Sequence, residues 1–512
     1  MFDLLLKNAR VVDGTGGPWF RADVAIEQGI VGKVARSIEA EAERTIDLGG
    51  LALAPGFIDL HSHSDLWLLA DPLAEAKIRQ GITTELIGQD GLGAAPVPEH
   101  LKQTWTEYLA GVNGRLEEPW GWNSFGDYLS TLERRIAINV VVLASHGCVR
   151  MSAMGLEPRP ATDDELACMC RVAREALQDG ARGFSTGLSY TPCLFADSRE
   201  LLALGRETAR ENGIFSVHIR NEGSQIIEAL DEMGAIARET GVSLHITHLK
   251  AAGKPNWGRA REILEHLETM RSRGLEVTFD QYPYTAGSTL LGALLPDWVY
   301  GEGKTLERLK DRQTRTRILE EMRASRPLEG IFIASTSTPG NKPLEGKSVL
   351  EAAKLRNQAP FEAVLDILVE ERLAVSMVTF IMAEEDVETI LRHPLGMVST
   401  DGLPGSHPHP RVYGSFPRIL GRYVRERRIL PLEEAVRKMT SAPARLLGLS
   451  NRGLIRQGFA ADLVAFDPDT VLDRATYEQP CQFPAGVEYV IVNGKLVLER
   501  GRRHPIFPGT IL

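Results

Sequence analysis

The sequence predicts an α/β protein, a (β/α)8 barrel of the TIM type with a small β-sandwich domain formed from both chain termini. Three observations lead to this prediction. Eight strand-like segments alternate with helical patterns in the middle of the chain, both ends consist of short strand patterns, and 512 residues exceed the needs of one small core. The predicted β domain covers residues 1–54 plus 445–512, and the predicted barrel covers 55–444.

Short apolar segments separated by turn residues occupy both ends of the chain. The predicted strands there are 4–6, 10–12, 22–26, 32–35, 461–466, 489–492 and 495–498. The dipeptide Asn493-Gly494 lies between the last two segments, and Asn-Gly between apolar runs is the strongest short-range signal of a hairpin.

The middle of the chain alternates between strands and helices. The predicted strands are 57–63, 84–88, 139–146, 183–187, 214–220, 243–250, 276–284 and 396–401. A helix is predicted over 224–240, where apolar residues recur at helical spacing. The gap between the last two strands is too long for one crossover, so an inserted subdomain is predicted within about 286–395.

Two histidines stand one residue apart at the end of the first predicted barrel strand. On a strand, residues i and i+2 point the same way, so His61 and His63 are expected to aim at one point beyond the strand. Two converging imidazoles could hold a divalent metal such as Zn²⁺. The alternative for such a short motif is that the two histidines are only polar residues at the end of a strand.

The other predicted strands also end in polar residues. In a barrel of this type, the active site lies at the C-terminal ends of the strands. The residues at or just beyond these ends include Asp90, His146, His218, His248, Lys250, Tyr282 and Asp401. So many such residues at equivalent positions, in a chain with 12 histidines, favour a metal site.

Composition narrows the class of protein. The formal net charge is −10, with Lys and Arg scattered along the chain, which argues against a nucleic-acid or membrane surface as partner. The first residues do not form a signal peptide, and no apolar run approaches the roughly 20 residues of a membrane span. Five scattered cysteines are typical of a reducing compartment, so a cytoplasmic location is predicted.

Several motifs together resemble the amidohydrolase superfamily, and within it the N-acyl-D-amino-acid deacylases, or D-aminoacylases. The similar segments are PGFIDLHSHSD (55–65), GITTELIGQDGLGAAP (81–96), SHGCVR (145–150), GFSTGLSYTP (183–192), VHIRNEG (217–223), THLK (247–250), DQYPYTAGST (280–289) and STDGLPGSHPHPR (399–411). The resemblance covers nearly the whole chain. It implies hydrolysis of the N-acyl amide bond of N-acyl-D-amino acids, or of a related amide beside a carboxylate, with one or two zinc ions as cofactor.

The resemblance also implies residue roles. His61 and His63 would bind one metal, and His218 and His248 would bind a second. Asp401 would handle protons and contact the first metal. Substrate-binding roles fall on Arg411, Tyr190, Tyr282, Ser288 and Lys250, and His146 would help to hold the carbonyl oxygen.

One position departs from the family pattern. D-aminoacylases usually read Gly-Asn-Cys-Gly where this chain reads Gly88-Gln89-Asp90-Gly91, and the family's cysteine is a metal ligand. A carboxylate can bridge two cations, and it is a harder ligand than a thiolate, so Asp90 should admit Mn²⁺ more readily. The predicted fourth strand, 183–187, contains no lysine that could carry a bridging carboxylate, which leaves Asp90 as the bridging candidate.

Two other functions compete with the deacylase hypothesis. One is a cyclic-amide hydrolase of the dihydroorotase or hydantoinase type, which the absent strand-4 lysine disfavours. The other is a non-catalytic scaffold on the same fold, which the complete set of histidines and Asp401 disfavours.

Some of these polar residues could have a structural role instead of a functional one. His146 could be a hydrogen-bonded core residue, and Lys250 could pair with a carboxylate. His245 is expected to face the opposite side of its strand from His248, because the two are three residues apart. An ion pair is expected between Arg220 and Glu222. For His407 and His409, the sequence leaves loop shaping and substrate contact open.

Overall fold

The computed structural model of the protein describes residues 1–116, 120–325 and 328–512. Its strands, in chain order, are β1 (Phe2–Val11), β2 (Phe20–Glu27), β3 (Ile30–Ala35), β4 (Ala42–Asp47), β5 (Ala52–Pro55), β6 (Phe57–Asp59), β7 (Ile82–Ile87), β8 (Asn139–Val142), β9 (Ala144–Ser145), β10 (Gly183–Gly187), β11 (Ile214–His218), β12 (Ser243–Ile246), β13 (Val277–Gln281), β14 (Ala286–Leu290), β15 (Ile331–Ile333), β16 (Ser376–Phe380), β17 (Gly396–Val398), β18 (Leu463–Phe466), β19 (Val487–Val492), β20 (Lys495–Glu499) and β21 (Arg502–Arg503).

The α-helices are α1 (Trp67–Ala70), α2 (Glu75–Ile78), α3 (Lys102–Asn113), α4 (Phe125–Glu133), α5 (His146–Met154), α6 (Asp163–Gln178), α7 (Ser198–Arg210), α8 (Ile226–Thr240), α9 (Ala260–Ser272), α10 (Thr305–Lys310), α11 (Arg312–Ser325), α12 (Val349–Leu355), α13 (Pro360–Glu370), α14 (Glu384–Arg392), α15 (Arg411–Arg418), α16 (Leu432–Met439) and α17 (Ser441–Leu446). A π-helix, Ile419–Glu426, continues α15, and a short 3₁₀ turn, Gln89–Gly91, follows β7. In the described parts of the chain, no helix has both the length and the apolar character needed to cross a membrane.

Strands from both chain ends form one mixed sheet of nine strands. Its order is β21-β20-β19-β18-β5-β1-β2-β3, and β4 also pairs with β1. The strands of the predicted β domain are joined in one hydrogen-bonded network, because β5 pairs with both β1 and β18. The two segments predicted at 4–6 and 10–12 are one strand with an irregularity between Leu6 and Ala9.

The strands that precede the predicted metal ligands are all parallel. They form a six-stranded sheet, β17-β13-β12-β11-β10-β9, and a three-stranded sheet, β6-β7-β8. Leu143 alone separates β8 from β9, and a parallel bridge between Ser62 and Gly402 joins the segments that follow β6 and β17. Alternating strands and helices therefore place the C-terminal ends of these strands at a common edge.

Most parallel strands end earlier than predicted. The strand predicted over 243–250 stops at Ile246, and the strand predicted over 396–401 stops at Val398. The reason is the conformation of the backbone just beyond these strand ends. His248 and Asp401 have φ values of 35° and 47°, and Asp90 beyond β7 has a φ of 57°, all outside the β region. The chain leaves the sheet at the residues that form the site.

The segment between β13 and β17 holds a small antiparallel sheet of order β14-β16-β15, with helices α10 to α14 around it. Ser288 of β14 pairs with Val378 of β16, and Gly287 pairs with Thr379. This sheet lies in the region where the sequence predicted an insertion, and it forms one wall of the site described below.

A buried ion-pair network joins the first and last parallel strands. The Lys77 ammonium lies 2.6 Å from Asp59 Oδ2 and 3.1 Å from Glu85 Oε2, and its side chain is 6% exposed. Asp59 in turn accepts hydrogen bonds from the Thr400 backbone N–H, at 2.8 Å, and from the Thr400 hydroxyl, at 2.6 Å. Asp59 therefore couples the segment that carries His61 to the segment that carries Asp401.

Replacing Lys77 should destabilise the fold strongly. The change Lys77→Met would leave two buried carboxylates, those of Asp59 and Glu85, without their cation, which costs about 3–5 kcal/mol of the free energy of unfolding. Urea unfolding followed by circular dichroism measures this loss. Lys354→Met, an exposed substitution on α12, is the matched control and should change stability by less than about 0.5 kcal/mol. Equal stability of the two variants would contradict the role given to Lys77.

Candidate metal centre

The His61-Ser62-His63 segment places two imidazoles side by side just past β6. Both residues are buried, and their Nε2 atoms lie 3.3 Å apart. The prediction that both rings point to one place therefore agrees with the geometry. Among the described residues, neither His61 Nδ1 nor His63 Nδ1 has a hydrogen-bond partner, although Asp280 Oδ2 lies 3.9 Å from His61 Nδ1.

A second pair of imidazoles comes from two neighbouring strands. His218 is the last residue of β11, and His248 lies two residues beyond the end of β12. His218 Nδ1 lies 2.9 Å from His248 Nε2, and both side chains are buried. The backbone N–H of His248 donates to Asp280 Oδ1 at 3.1 Å, which fixes the left-handed turn that carries this ring.

Asp90 lies between the two histidine pairs. Its Oδ2 atom is 3.5 Å from His61 Nε2 and from His63 Nε2, 3.6 Å from His248 Nε2 and 3.8 Å from His218 Nδ1. One carboxylate oxygen thus faces four imidazole nitrogens. Burial opposes ionisation of Asp90, but the neighbouring charges of His61 and His248 outweigh burial and hold its pKa well below the usual range.

Hydrogen bonds on both sides hold the turn that carries Asp90. The Gln89 side chain donates to Leu60 O at 2.7 Å and accepts from Ser216 Oγ at 2.8 Å, so it ties the turn to β11 and to the residue before His61. Ser145 Oγ donates to Gly88 O at 2.9 Å. These bonds hold Asp90 in place even though its backbone is left-handed.

Asp401 faces the first histidine pair from the opposite side. Its Oδ1 atom is 3.5 Å from both His61 Nε2 and His63 Nε2, and its Oδ2 atom is 2.9 Å from Arg411 Nη1. Its backbone N–H donates to His61 O at 2.8 Å. Burial raises the pKa of Asp401, but the charges of Arg411 and the histidines outweigh burial and keep the carboxylate ionised.

The donor set fits a divalent metal. Burial disfavours a charge on His63, yet its contacts with Asp401 and Asp90 raise its pKa to about 9. Burial and Lys250 likewise disfavour a charge on His248, but Glu222 and Asp90 raise its pKa to about 10. The carboxylates therefore attract positive charge to the imidazoles, and a divalent cation can supply that charge in place of protons. Imidazole nitrogen and carboxylate oxygen are ligands that zinc accepts.

Glu222 is a functional candidate that the sequence interpretation missed. Its Oε1 atom lies 2.9 Å from His248 Nδ1, and it also forms an ion pair with the Lys250 ammonium. The predicted ion pair between Arg220 and Glu222 is therefore wrong, because Arg220 instead binds Glu232 of α8 at 2.9 Å. A carboxylate that binds the outer nitrogen of a ligand imidazole fixes its ring orientation, so Glu222 positions His248.

A cavity of about 80 Å³ opens beside the histidines. Predicted substrate residues that line it are Tyr190, Lys250, Tyr282 and Ser288. The alternative given for Lys250, pairing with a carboxylate, also holds, since Glu222 is its partner.

Arg411 lies behind this cavity. It is fully buried, it stacks over the Tyr282 ring with its guanidinium carbon 4.5 Å from the ring centroid, and its Nη2 donates to Ser288 O at 3.0 Å. Its Nε atom has no hydrogen-bond partner among the described residues. Arg411 thus contacts two cavity residues, Tyr282 and Ser288, although it does not line the cavity itself.

His146 is not brought into the cluster. Its Nδ1 lies 2.7 Å from Thr186 Oγ1 and its Nε2 lies 2.7 Å from Glu200 Oε1, while Arg150 binds the same carboxylate. Both ring nitrogens are engaged in this buried network, so His146 cannot reach a carbonyl oxygen in the cavity as predicted. The alternative of a hydrogen-bonded core residue describes it.

His245 is buried and contacts Asp280, which in turn contacts His248 and His61. Its Nε2 lies 3.0 Å from Asp280 Oδ2, and Asp280 also accepts from the Ser399 hydroxyl at 2.5 Å. The expectation from the three-residue spacing is wrong, because β12 ends at Ile246 and the alternation of side chains does not continue to His248.

His407 and His409 shape the loop before α15. His409 Nε2 lies 3.0 Å from Ala286 O, and its Nδ1 accepts from the Arg411 backbone N–H at 3.0 Å. His407 Nε2 lies 3.1 Å from Tyr477 O. Neither ring lines the cavity, and His409 places Arg411, so the loop-shaping alternative describes both.

Comparison with known proteins gives consistent matches over nearly the whole chain. The model of the amidohydrolase family matches residues 44–292 and 305–498. D-aminoacylase of Alcaligenes xylosoxydans xylosoxydans is 36% identical over 496 residues, covering 96% of this chain and 94% of that protein. N-acyl-D-glutamate deacylase of the same organism is 37% identical over 496 residues, covering 96% and 93%.

Solved structures agree with the sequence matches. N-acyl-D-glutamate deacylase from Bordetella bronchiseptica, complexed with zinc and a phosphonate inhibitor, superposes with a TM-score of 0.86 at 34% identity and covers 100% of this chain and 99% of that one. L-hydantoinase from Arthrobacter aurescens reaches a TM-score of 0.58 at 17% identity, which shows a shared fold alone and leaves the cyclic-amide alternative distant. The chain therefore belongs to the amidohydrolase family.

Proposed function

We propose that this protein is a metal-dependent hydrolase that cleaves the N-acyl amide bond of N-acyl-D-amino acids. The observation that carries the proposal is the convergence of four buried imidazoles and two carboxylates on one point beside a cavity that Lys250 lines. The D configuration of the substrate rests on the names of the relatives, D-aminoacylase and N-acyl-D-glutamate deacylase.

The proposed ligand set divides into two halves. His61 and His63, with Asp401, would hold one zinc ion, and His218 and His248 would hold a second, with Asp90 shared between them. The Oδ2 distances of Asp90 to both histidine pairs support this bridging role. When bound, such ions make water nucleophilic near neutral pH and polarise the substrate carbonyl.

Asp401 is the proposed proton carrier. Its Oδ1 faces the histidine pair, where it would accept the proton of the attacking water and pass it to the leaving nitrogen. Arg411 holds the other oxygen, Oδ2, and keeps the carboxylate ionised before the reaction. Hydrolysis then releases a carboxylic acid and a free D-amino acid.

The substrate's α-carboxylate would bind at the cationic side of the cavity. Lys250 lines it directly, and the unpaired Nε of Arg411 lies behind Tyr282. A guanidinium suits a carboxylate because its N–H groups form a planar fork. Tyr190, Tyr282 and Ser288 would orient the amide between this anchor and the histidines.

We also infer the larger architecture from the strands. One residue separates β8 from β9, and the Ser62–Gly402 bridge links the other ends of the two parallel sheets, which supports one closed (β/α)8 barrel over residues 55–444. Residues 1–54 plus 445–512 would form the β domain. The cytoplasmic location stays a prediction; the five free cysteines agree with it.

The function is tested by amide hydrolysis with matched enantiomers. The zinc-loaded protein should release methionine from N-acetyl-D-methionine, and it should act at least about 100-fold more slowly on N-acetyl-L-methionine, because the L form cannot place its carboxylate and amide together. Amine release is followed with a fluorogenic amine reagent. Turnover of neither enantiomer, in protein shown to contain metal, would contradict the proposal.

Replacing the proton carrier should separate catalysis from metal binding. Asp401→Asn is expected to lower kcat by about 100- to 10,000-fold, because the amide cannot accept the proton of the water. Metal content, measured by plasma mass spectrometry, should stay close to that of the wild type. Asp469→Asn, an exposed substitution of the same kind, is the control. A near-wild-type kcat in Asp401→Asn would remove the proton-carrying role.

Asp90 should determine both the number and the kind of metal ions. Asp90→Ala is expected to lose about one of two ions after dialysis, because among the described residues Asp90 is the carboxylate that contacts both histidine pairs. After dialysis against equal Zn²⁺ and Mn²⁺, the wild type should retain a larger share of Mn²⁺ than Asp90→Cys, since a thiolate favours the softer ion. Identical stoichiometry and metal ratios in all three proteins would exclude Asp90 as a ligand.

A further inference from the structure

We propose that this protein binds a small organic cation, of the alkylated ammonium type, at a second site outside the metal centre. The site is a cleft of about 360 Å³ on the small antiparallel sheet, within the range of roughly 300–1,000 Å³ that small-molecule sites have. We call it the aromatic cleft and define it by five of the residues that line it, Phe332, Phe380, Tyr477, Glu345 and Glu478. The proposal goes beyond the proposed hydrolase function and does not depend on it.

The aromatic cleft and the cavity beside the histidines use opposite faces of one strand. Thr379 of β16 lines the cavity beside the histidines, whereas its neighbours Val378 and Phe380 line the aromatic cleft. Successive side chains of a strand point to opposite faces of the sheet, so the sheet itself separates the two spaces. A ligand in the aromatic cleft therefore does not occupy the space beside the metal ligands.

Three aromatic rings from separate segments form one surface in the cleft. Phe332 lies on β15, Phe380 is the last residue of β16, and Tyr477 lies in the segment between β18 and β19. The centroid of the Phe380 ring is 5.9 Å from that of Phe332, with the planes at 76°, and 4.8 Å from that of Tyr477, with the planes at 56°. Rings tilted in this way present their faces in different directions, and aromatic faces attract cations.

Phe380 leaves a large part of this aromatic surface open to a ligand. Its side chain is 46% exposed, whereas Val378, two residues earlier on the same face of the strand, is 7% exposed. Removal of apolar surface from water is favourable, so a ligand with methyl groups gains free energy by covering the Phe380 ring.

Two carboxylates, those of Glu345 and Glu478, also line the aromatic cleft. No lysine or arginine is among its described lining residues. Hydrogen bonds from its own backbone and from Thr476 lower the pKa of Glu478, which keeps this exposed carboxylate ionised. The charge of the lining therefore favours a cation and disfavours an anion.

Glu345 contributes less of this charge than Glu478. Burial raises the pKa of Glu345, but hydrogen bonds from Lys342 and Ser406, at 2.8 and 2.7 Å, outweigh burial and lower it. Both bonds, and those from Thr336, go to Oε1, so Oε2 has no hydrogen-bond partner among the described residues. Lys342 offsets the charge of Glu345, and Glu478 supplies the net negative charge of the cleft.

Hydrogen bonds hold the borders of the aromatic cleft in place. His407 Nε2 lies 3.1 Å from Tyr477 O, and the His407 backbone N–H donates to Ser335 Oγ at 3.1 Å. The Ser406 hydroxyl donates to Glu345 Oε1 at 2.7 Å. These bonds join the segments that carry Tyr477, Glu345 and β15, so the cleft is formed before a ligand binds.

The lining favours an alkylated cation over a primary ammonium. The residues beside the rings include Ile333, Ala334 and Val378, whose side chains accept no hydrogen bonds. A primary ammonium would lose hydration here without replacing it. A quaternary ammonium carries its charge on methyl groups, which need no hydrogen bond and pack against aromatic faces.

The first test compares two probes that differ in charge but hardly in shape. Choline is the cationic probe, and its analogue with carbon in place of nitrogen is the uncharged one. Each is titrated against the metal-loaded wild-type protein, and binding is followed by NMR of the probe's methyl signal, with sodium chloride matching the ionic strength. We expect choline to bind at least about 5-fold more tightly, because cation–π attraction acts on the charge alone. Equal affinities would overturn the proposal, since the cleft would then be merely apolar.

Substitutions in the aromatic cleft locate the bound probe. Phe380→Leu keeps an apolar side chain but removes the ring, and should weaken choline binding by about 2- to 5-fold. Glu478→Gln should weaken it by about 2-fold, as for an exposed ion pair. Phe483→Leu and Glu385→Gln, exposed residues of the same types outside the cleft, are the matched controls and should leave the affinity unchanged.

A further variant excludes the other acidic cavity as the binding site. Glu222 lines the cavity beside the histidines, where carboxylates could also attract a cation. Glu222→Gln should therefore leave the affinity for choline unchanged if the probe binds in the aromatic cleft. Weaker binding in Glu222→Gln, together with unchanged binding in Phe380→Leu, would place the probe beside the histidines and overturn the proposal.

The remaining outcomes also decide the question. Absence of choline binding to the wild type, or equal affinity in the wild type, Phe380→Leu and Glu478→Gln, overturns the proposed site. The comparison of the two probes uses the wild type, so it decides the preference for a cation even if a variant does not fold. Hydrolase activity enters none of these measurements, so failure of the proposed function and failure of this site are distinguishable.

Discussion

The site depends on one electrostatic constraint, the crowding of four imidazoles around a single carboxylate oxygen. Asp90 Oδ2 lies 3.5–3.8 Å from the nearest nitrogen of His61, His63, His218 and His248, and all of these groups are buried. Imidazole nitrogens that present lone pairs to one point repel one another unless a proton or a cation lies between them. The neighbouring carboxylates raise the pKa of His63 and His248, while burial lowers the pKa of His218 to about 4. This constraint explains why polar groups are concentrated in an otherwise apolar interior.

Hydrogen bonds from neighbouring buried groups hold the proposed ligands in these positions. Asp59 binds Thr400, so the chain segments that carry His61 and Asp401 keep a fixed separation. Asp280 accepts from the His248 backbone and from His245, and Gln89 ties the Asp90 turn to β11. Each of these supports is itself a buried polar group with a partner, which such groups require. These hydrogen bonds hold Asp90, His248 and Asp401 in their left-handed backbone conformations.

Sequence reasoning brought the six proposed ligands together because they share one property, a position at or just beyond the end of a parallel strand. That rule depends on strand order alone. It failed for His245 and Glu222, whose directions depend on where a strand stops and how the next turn bends. The Asn221 side chain accepts from the Gly223 and Gln225 N–H groups, and the resulting turn carries Glu222, which reaches His248 rather than Arg220. His146 met the positional rule, yet it binds Glu200 of α7, whose carboxylate also binds Arg150 of α5.

The charged groups around the imidazoles are paired with groups of opposite charge. Asp401 is balanced by Arg411 on its outer oxygen, and His248 is balanced by Glu222, which in turn is balanced by Lys250. Because each outer charge already serves an inner group, the surface that remains for the substrate beyond them consists of uncharged residues. The pairing that orients the imidazoles therefore also gives Arg411 and Lys250 a carboxylate partner each before any substrate binds.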